Sequence, residues 1–96
     1  MLKKANPDRI LEELNTLKGF DSRPDQEGTT RVPFSDEEMK ARDFVKTRML
    51  DAGMEVSEDA IGNIYGTLVG REPALPPVWS GSHIDTVLNA GMYDGM

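Results

Sequence analysis

Apolar residues at Ile10, Leu11, Leu14 and Leu17 fall on one face of a helical repeat. Asn6 stands where an N-cap would, Pro7 suits the first helical position, and Asp8 meets the positive end of the dipole. Gly19 is the expected stop. This pattern predicts a docking helix between Asn6 and Gly19. A second helical period runs through Ala41, Phe44, Val45, Met49 and Ala52, with Arg42, Lys46 and Asp51 assigned to the solvated side. Ser35 and Glu38 form an S-x-x-E capping box, Phe34 is placed to staple onto Met39, and Gly53 closes the helix.

After Gly53 the period changes. Met54 to Ser57 alternates as a half-buried strand does, Glu58 to Gly62 reads as a turn, and Asn63 to Val69 as a second strand able to pair with the first. Gly66 within it marks a bulge or close packing. Gly70 to Pro77 holds three prolines and serves as a connector. Val78 to Ser82 reads as a third, shorter strand. The order predicts an α/β class, with two helices followed by three strands of a mixed sheet.

Phe20 to Val32 is left as loop, rich in the turn formers Asp21, Ser22, Pro24, Asp25 and Gly28. Loops of that length are often functional. Within its "GTTR", Arg31 either offers a positive charge to a substrate anion or sits at the surface and holds the loop.

Composition narrows the classes. The 96 residues suit one small domain, and 11 Lys and Arg against 17 Asp and Glu give a formal charge of −6. That balance argues against a nucleic-acid or membrane-surface partner. The absence of cysteine excludes disulfides, so any metal site must use histidine and carboxylates. The basic start from Met1 to Asp8 has no apolar run behind it and does not read as a signal peptide, so a cytoplasmic location is expected.

The candidate chemistry lies in "GSHIDTVLNAGMYDG", Gly81 to Gly95. It carries the single histidine, His83, with Asp85 and Asp94. Alternation puts His83 and Asp85 on one side of an extended chain. An imidazole that binds metal needs its other N–H held, and Asp85 is a candidate for that role or for a contact to a catalytic base. The turn Asn89-Ala90-Gly91 lets the chain double back and return the Asp94 carboxylate toward the metal. On residue types alone, a hydrogen-bonded surface or core histidine beside two acids is the more common case.

"GSHIDTV" followed by "AGMYDG" resembles the metal-binding signature of the amidase/hydantoinase/carbamoylase family of dinuclear amidohydrolases, related to aminoacylases and zinc exopeptidases. The resemblance extends upstream through "GTTR", "AGMEV" and "DAIGNIYG", and covers the chain from about Gly28 onward. Ala90 departs from the glycine many members carry. The resemblance implies that His83 and Asp94 bind metal, with Asp94 bridging two divalent ions (zinc, manganese, cobalt or nickel). It implies that Asp85 supports the site without being a ligand, and that the substrate is a small N-carbamoyl or ureido compound cleaved at its linear C–N bond. It implies a general-base glutamate and further ligands from residues beyond this chain, and a smaller domain that forms a homodimer. Residues 1–96 then read as the truncated front of a zinc-exopeptidase-like catalytic domain, with an incomplete metal site. An aminoacylase or peptidase relative, or a non-catalytic binding module that keeps the front of the fold, are the alternatives.

Overall fold

The computed structural model describes residues 4–95; the basic start at Met1–Lys3 and the final Met96 lie outside the described residues. Helix α1 spans Pro7–Lys18, helix α2 Asp36–Asp51, strand β1 Glu55–Glu58 and strand β2 Ile64–Thr67. No helix among the described residues is long and apolar enough to cross a membrane.

The start of α1 follows its local signals. The Asn6 side chain accepts the Arg9 N–H at 3.1 Å, and Pro7 opens the helix. Gly19 ends it as expected, but in right-handed conformation, with its N–H on the Thr16 carbonyl at 3.1 Å. Only the C-terminal end of the apolar face is docked. Leu17 is buried, whereas Ile10 and Leu11 are exposed.

Helix α2 begins with half of the expected capping box. Ser35 Oγ accepts the Glu38 N–H at 3.2 Å. The Glu38 carboxylate returns to the N–H of Phe34 at 3.2 Å, one residue earlier than the standard motif. Phe34 takes a left-handed φ of 62°, which turns its ring outward, 75% exposed. The Phe34–Met39 staple is therefore not formed. Ala41 is fully buried, Phe44 packs on Phe20 with ring centroids 6.1 Å apart, and Gly53 past the helix end adopts the left-handed cap at φ 84°.

Arg42 corrects the sequence reading. It is not solvated but buried, with Nη1 3.3 Å from Glu38 Oε1, Nη2 2.5 Å from Glu58 Oε1, and a further bond to the Gly62 carbonyl. Lys46 joins Glu58 at 3.2 Å. These bonds fasten α2 to the strand pair.

β1 and β2 form a two-stranded antiparallel hairpin in the register Val56↔Gly66 and Ser57↔Tyr65. The pairing at Gly66 is regular, so its glycine reflects close packing. A Cβ there would lie 2.8 Å from Met54 Sδ and 2.9 Å from Met49 Sδ. The turn is built on Asp59, whose carboxylate accepts the N–H groups of Ile61 (3.1 Å) and Asn63 (2.8 Å), the Asn63 amide (2.8 Å) and the Tyr65 hydroxyl (3.1 Å).

The expected third strand is not a strand, and the three-stranded mixed sheet is not formed. Val78 to Ser82 has no ladder partner among the described residues. Val78 is fully exposed, and Trp79 meets only the edge of the Tyr65 ring, at 6.3 Å between centroids. A strand exists by pairing. β1 and β2 satisfy each other along one side only, and segment 78–82 touches the hairpin through the Trp79 ring without joining its ladder.

Candidate functional site

The segment from Gly81 to Gly95 is held by the long loop ahead of α2. Thr29 and Ala90 form an antiparallel bridge, exchanging N–H to carbonyl bonds of 2.8 Å in both directions. Gly28 makes this approach feasible. Its φ is 74°, and a Cβ would fall 2.6 Å from the Asn89 carbonyl group. Asn89 itself takes φ 52°, a conformation asparagine tolerates. Its N–H donates to Thr30 Oγ1 at 2.9 Å. Asp21 braces the other side by accepting the Thr30 N–H at 3.1 Å.

Arg31 is buried beside Thr30 in this loop, 2% exposed. Its Nε donates to the Ile84 carbonyl at 2.8 Å, and its Nη1 to the carbonyls of Leu17 (2.8 Å) and Phe20 (3.2 Å). Its backbone N–H donates to Thr86 Oγ1 at 2.8 Å, and its carbonyl accepts the Thr86 N–H at 3.0 Å. Arg31 holds the loop, as one of the two sequence readings has it, but from a buried position rather than at the surface: its Nε and Nη1 bond main-chain carbonyls. Burial holds its pKa below the ordinary arginine value, opposed by the charges of Glu38, Asp21, Asp85 and Asp94.

The candidate residues lie beyond this clamp. His83 Nδ1 is 2.7 Å from the Asp85 carbonyl oxygen and 3.4 Å from Asp85 Oδ1. The shorter contact assigns the Nδ1 proton, which leaves Nε2 with its lone pair. The His83 side chain is 57% exposed. The chain then doubles back as expected through Asn89–Gly91. Asp94 Oδ2 accepts the Val87 N–H at 3.3 Å. Gly95 lies flat against His83; a Cβ there would come within 2.6 Å of the His83 carbonyl and 2.8 Å of its ring. Ser82 Oγ donates to the Gly95 carbonyl and closes the turn.

An exposed imidazole nitrogen and a carboxylate are donors that suit a borderline divalent ion. They fit such an ion in part. A defined site takes three or more protein donors, and no group of three His, Cys, Asp or Glu side chains converges among the described residues. Sequence reasoning missed Thr86 as a bracing residue and read Asp21 and Asn89 only as turn formers, although with Thr30 they support the segment that carries His83.

No family model matches the chain. It is 44% identical over 87 residues to a ureidoglycolate hydrolase of Arabidopsis thaliana, covering 91% of this chain and 18% of that protein. It is 40% identical over 94 residues to an N-carbamoyl-L-amino-acid amidohydrolase of Paenarthrobacter aurescens, covering 98% and 22%. It is 43% identical over 86 residues to the allantoate amidohydrolase of Escherichia coli K12, covering 90% and 21%. Among solved structures it is similar to AtUAH in complex with glyoxylate, at a TM-score of 0.89 and 40% identity over 96% of this chain and 22% of that one. It is also similar to an amidase (hydantoinase/carbamoylase family) from Burkholderia phymatum, at 0.81 and 33% over 99% and 22%. The chain thus spans about one fifth of the length of the relatives it matches, and corresponds to their N-terminal part.

Proposed function

The chain belongs to the amidase/hydantoinase/carbamoylase family, and from that membership we propose that the protein carrying it hydrolyses the linear C–N bond of a small ureido or N-carbamoyl compound. N-carbamoyl amino acids and allantoate head the candidates, with ureidoglycolate beside them. The observation that carries this reading is identity of 40% to 44% running through nearly the whole chain toward three relatives named for such substrates.

In this reading His83 and Asp94 hold two divalent ions together with residues from outside the chain, and Asp85 steadies His83. When bound, the ions supply Lewis acidity and a water of lowered pKa. The chain's own residues supply orientation. The Asp85 carbonyl keeps the proton on His83 Nδ1 and so frees Nε2 to donate. The Val87 N–H restrains one oxygen of Asp94, whose other oxygen carries no hydrogen bond among the described residues. Asp94 would hold metal through its carboxylate, whose orientation the Val87 N–H helps to set.

The test uses a protein of the relatives' full length that carries this chain. It is offered N-carbamoyl amino acids, allantoate, ureidoglycolate and N-acetyl amino acids. Chelator-sensitive turnover of at least one ureido or carbamoyl compound is expected, with none for the N-acetyl series. Hydrolysis confined to N-acetyl amino acids would transfer the protein to the aminoacylase-type reading, and no turnover at all would make it a binding module. Metal content sharpens the assignment. His83→Ala is expected to lose one ion per chain, and Asp94→Ala to lose both.

A further inference from the structure

We propose that Arg31 is the positioning residue of this site, gripping the two peptide units that flank Asp85 and thereby setting which nitrogen of His83 carries the proton. The proposal rests on the reading of His83 as a metal-binding residue given above.

The argument lies in the peptide planes. The unit between Ile84 and Asp85 is held by its carbonyl, which accepts the Arg31 Nε–H at 2.8 Å. The unit between Asp85 and Thr86 is held by its N–H, which donates to the Arg31 carbonyl at 3.0 Å. Every peptide bond among the described residues is trans, so N–H and C=O of one unit point to opposite edges. Fixing the Thr86 N–H on Arg31 therefore aims the Asp85 carbonyl the other way, toward His83 Nδ1 at 2.7 Å. The bonds run in series from the Arg31 carbonyl through one peptide to the imidazole, and such chains polarise cooperatively.

Arg31 is buried. Its guanidinium makes hydrogen bonds only to the carbonyls of Leu17, Phe20 and Ile84, with no carboxylate within ion-pair distance among the described residues. A buried charge without a direct counter-ion is costly. Here it joins the end of α1 to the peptide next to His83 through a rigid planar fork, which a lysine cannot reproduce.

His83 is the only histidine, so its ring nitrogens give an unambiguous NMR signature in the 96-residue chain. The measurement is the tautomer, read from ring ¹⁵N shifts above the ordinary histidine pKa of about 6.5. The native chain is expected in the Nδ1–H form. Arg31→Lys keeps the main-chain bond to Thr86 but releases the Ile84 carbonyl, and is expected to shift the ring toward the Nε2–H form that free imidazole side chains prefer, at unchanged helix content. An unchanged Nδ1–H form in a folded Arg31→Lys chain would overturn the proposal. Should Arg31→Lys fail to fold, the native chain decides by coupling across the hydrogen bond from Arg31 Nε–H to the Ile84 carbonyl; its absence overturns the grip. In a relative-length protein, Arg31→Lys is expected to lower kcat by about 10- to 100-fold at unchanged KM. A raised KM at unchanged kcat would return Arg31 to substrate binding and sink the proposal. The tautomer needs neither metal nor substrate. A shifted tautomer in a protein without ureido hydrolysis would uphold the positioning role while the hydrolase reading fails.

Discussion

Arg42 and Arg31 are both buried, at 8% and 2% exposure, and each fastens one region of the chain to the rest. Arg42 joins α2 to the hairpin through the Glu58 carboxylate and the Gly62 carbonyl, and is braced within the helix by Glu38. Arg31 joins α1 to the segment bearing His83 through three carbonyls. The first clamp is an ion-pair network with a partly exposed partner, Glu58, so it responds to acid and salt. The second has no titrating partner in direct contact. Its strength is set by geometry and by the cost of leaving carbonyls unpaired. The hairpin is thus fastened by charged pairs, whereas Arg31 itself bonds only main-chain carbonyls within a region that Asp21 also braces.

Breaking the second clamp has the largest expected effect. Arg31→Ala orphans three carbonyls, at about 1–3 kcal/mol for each that stays dry, against a thin margin for so small a chain. Urea unfolding followed by circular dichroism is expected to show most of the stability gone; a midpoint near that of the native chain would place the strength elsewhere. Arg42→Ala comes next, at about 2 kcal/mol. Its damage should be confined to the hairpin. Amide exchange is expected to rise at Ser57 and Tyr65 while the Thr29–Ala90 bridge stays protected, and equal loss in both regions would erase the contrast.

Acid is the milder probe. The Arg42 hydrogen bond, then Lys46, holds the Glu58 carboxyl below the usual range, and hydrogen bonds from Asn63 hold Asp59 low. The unfolded chain therefore takes up these protons first. The stability they give is full above the unfolded values of about 4 and is lost as pH falls through the lower folded values. In that window hairpin amides should open before those of Thr29 and Ala90. The reverse order would refute the assignment of clamps. Gly66→Ala should cost least, about 1 kcal/mol, because the atoms a methyl would meet are the flexible ends of Met49 and Met54. A loss as large as that of Arg42→Ala in the same urea titration would show that those methionines cannot yield.

What was legible in the sequence follows the same division. The caps at Asn6, Ser35 and Gly53 and the hairpin around Asp59 are written in neighbouring residues, and all were read correctly. Arg42 was misplaced because its helical position suggested solvent, while its partner Glu58 lies 16 residues away. Arg31 was misjudged for the same reason, since its acceptors come from three separate segments. The third strand was over-read because alternation reports a side-chain pattern and not the presence of a pairing neighbour. At the candidate site, the doubling back of the chain after Asn89 was legible, but His83, Asp85 and Asp94 do not converge as a group of three donors among the described residues. The main-chain carbonyl that holds Nδ1 has no letter in the sequence and emerged only with the backbone.

The bridge between loop and turn also orders the chain in time. Arg42 meets Glu58 across 16 residues, whereas Asn89 meets Thr30 across 59 and Arg31 meets Ile84 across 53. Long closures are entropically slower to nucleate than short ones. During synthesis, α2 and the hairpin have their partners as soon as Thr67 emerges, but Thr29 must wait for Ala90. The geometry around His83 is therefore the last part of the chain to assemble, and any pause or cut before Ala90 leaves a folded hairpin with no site beside it.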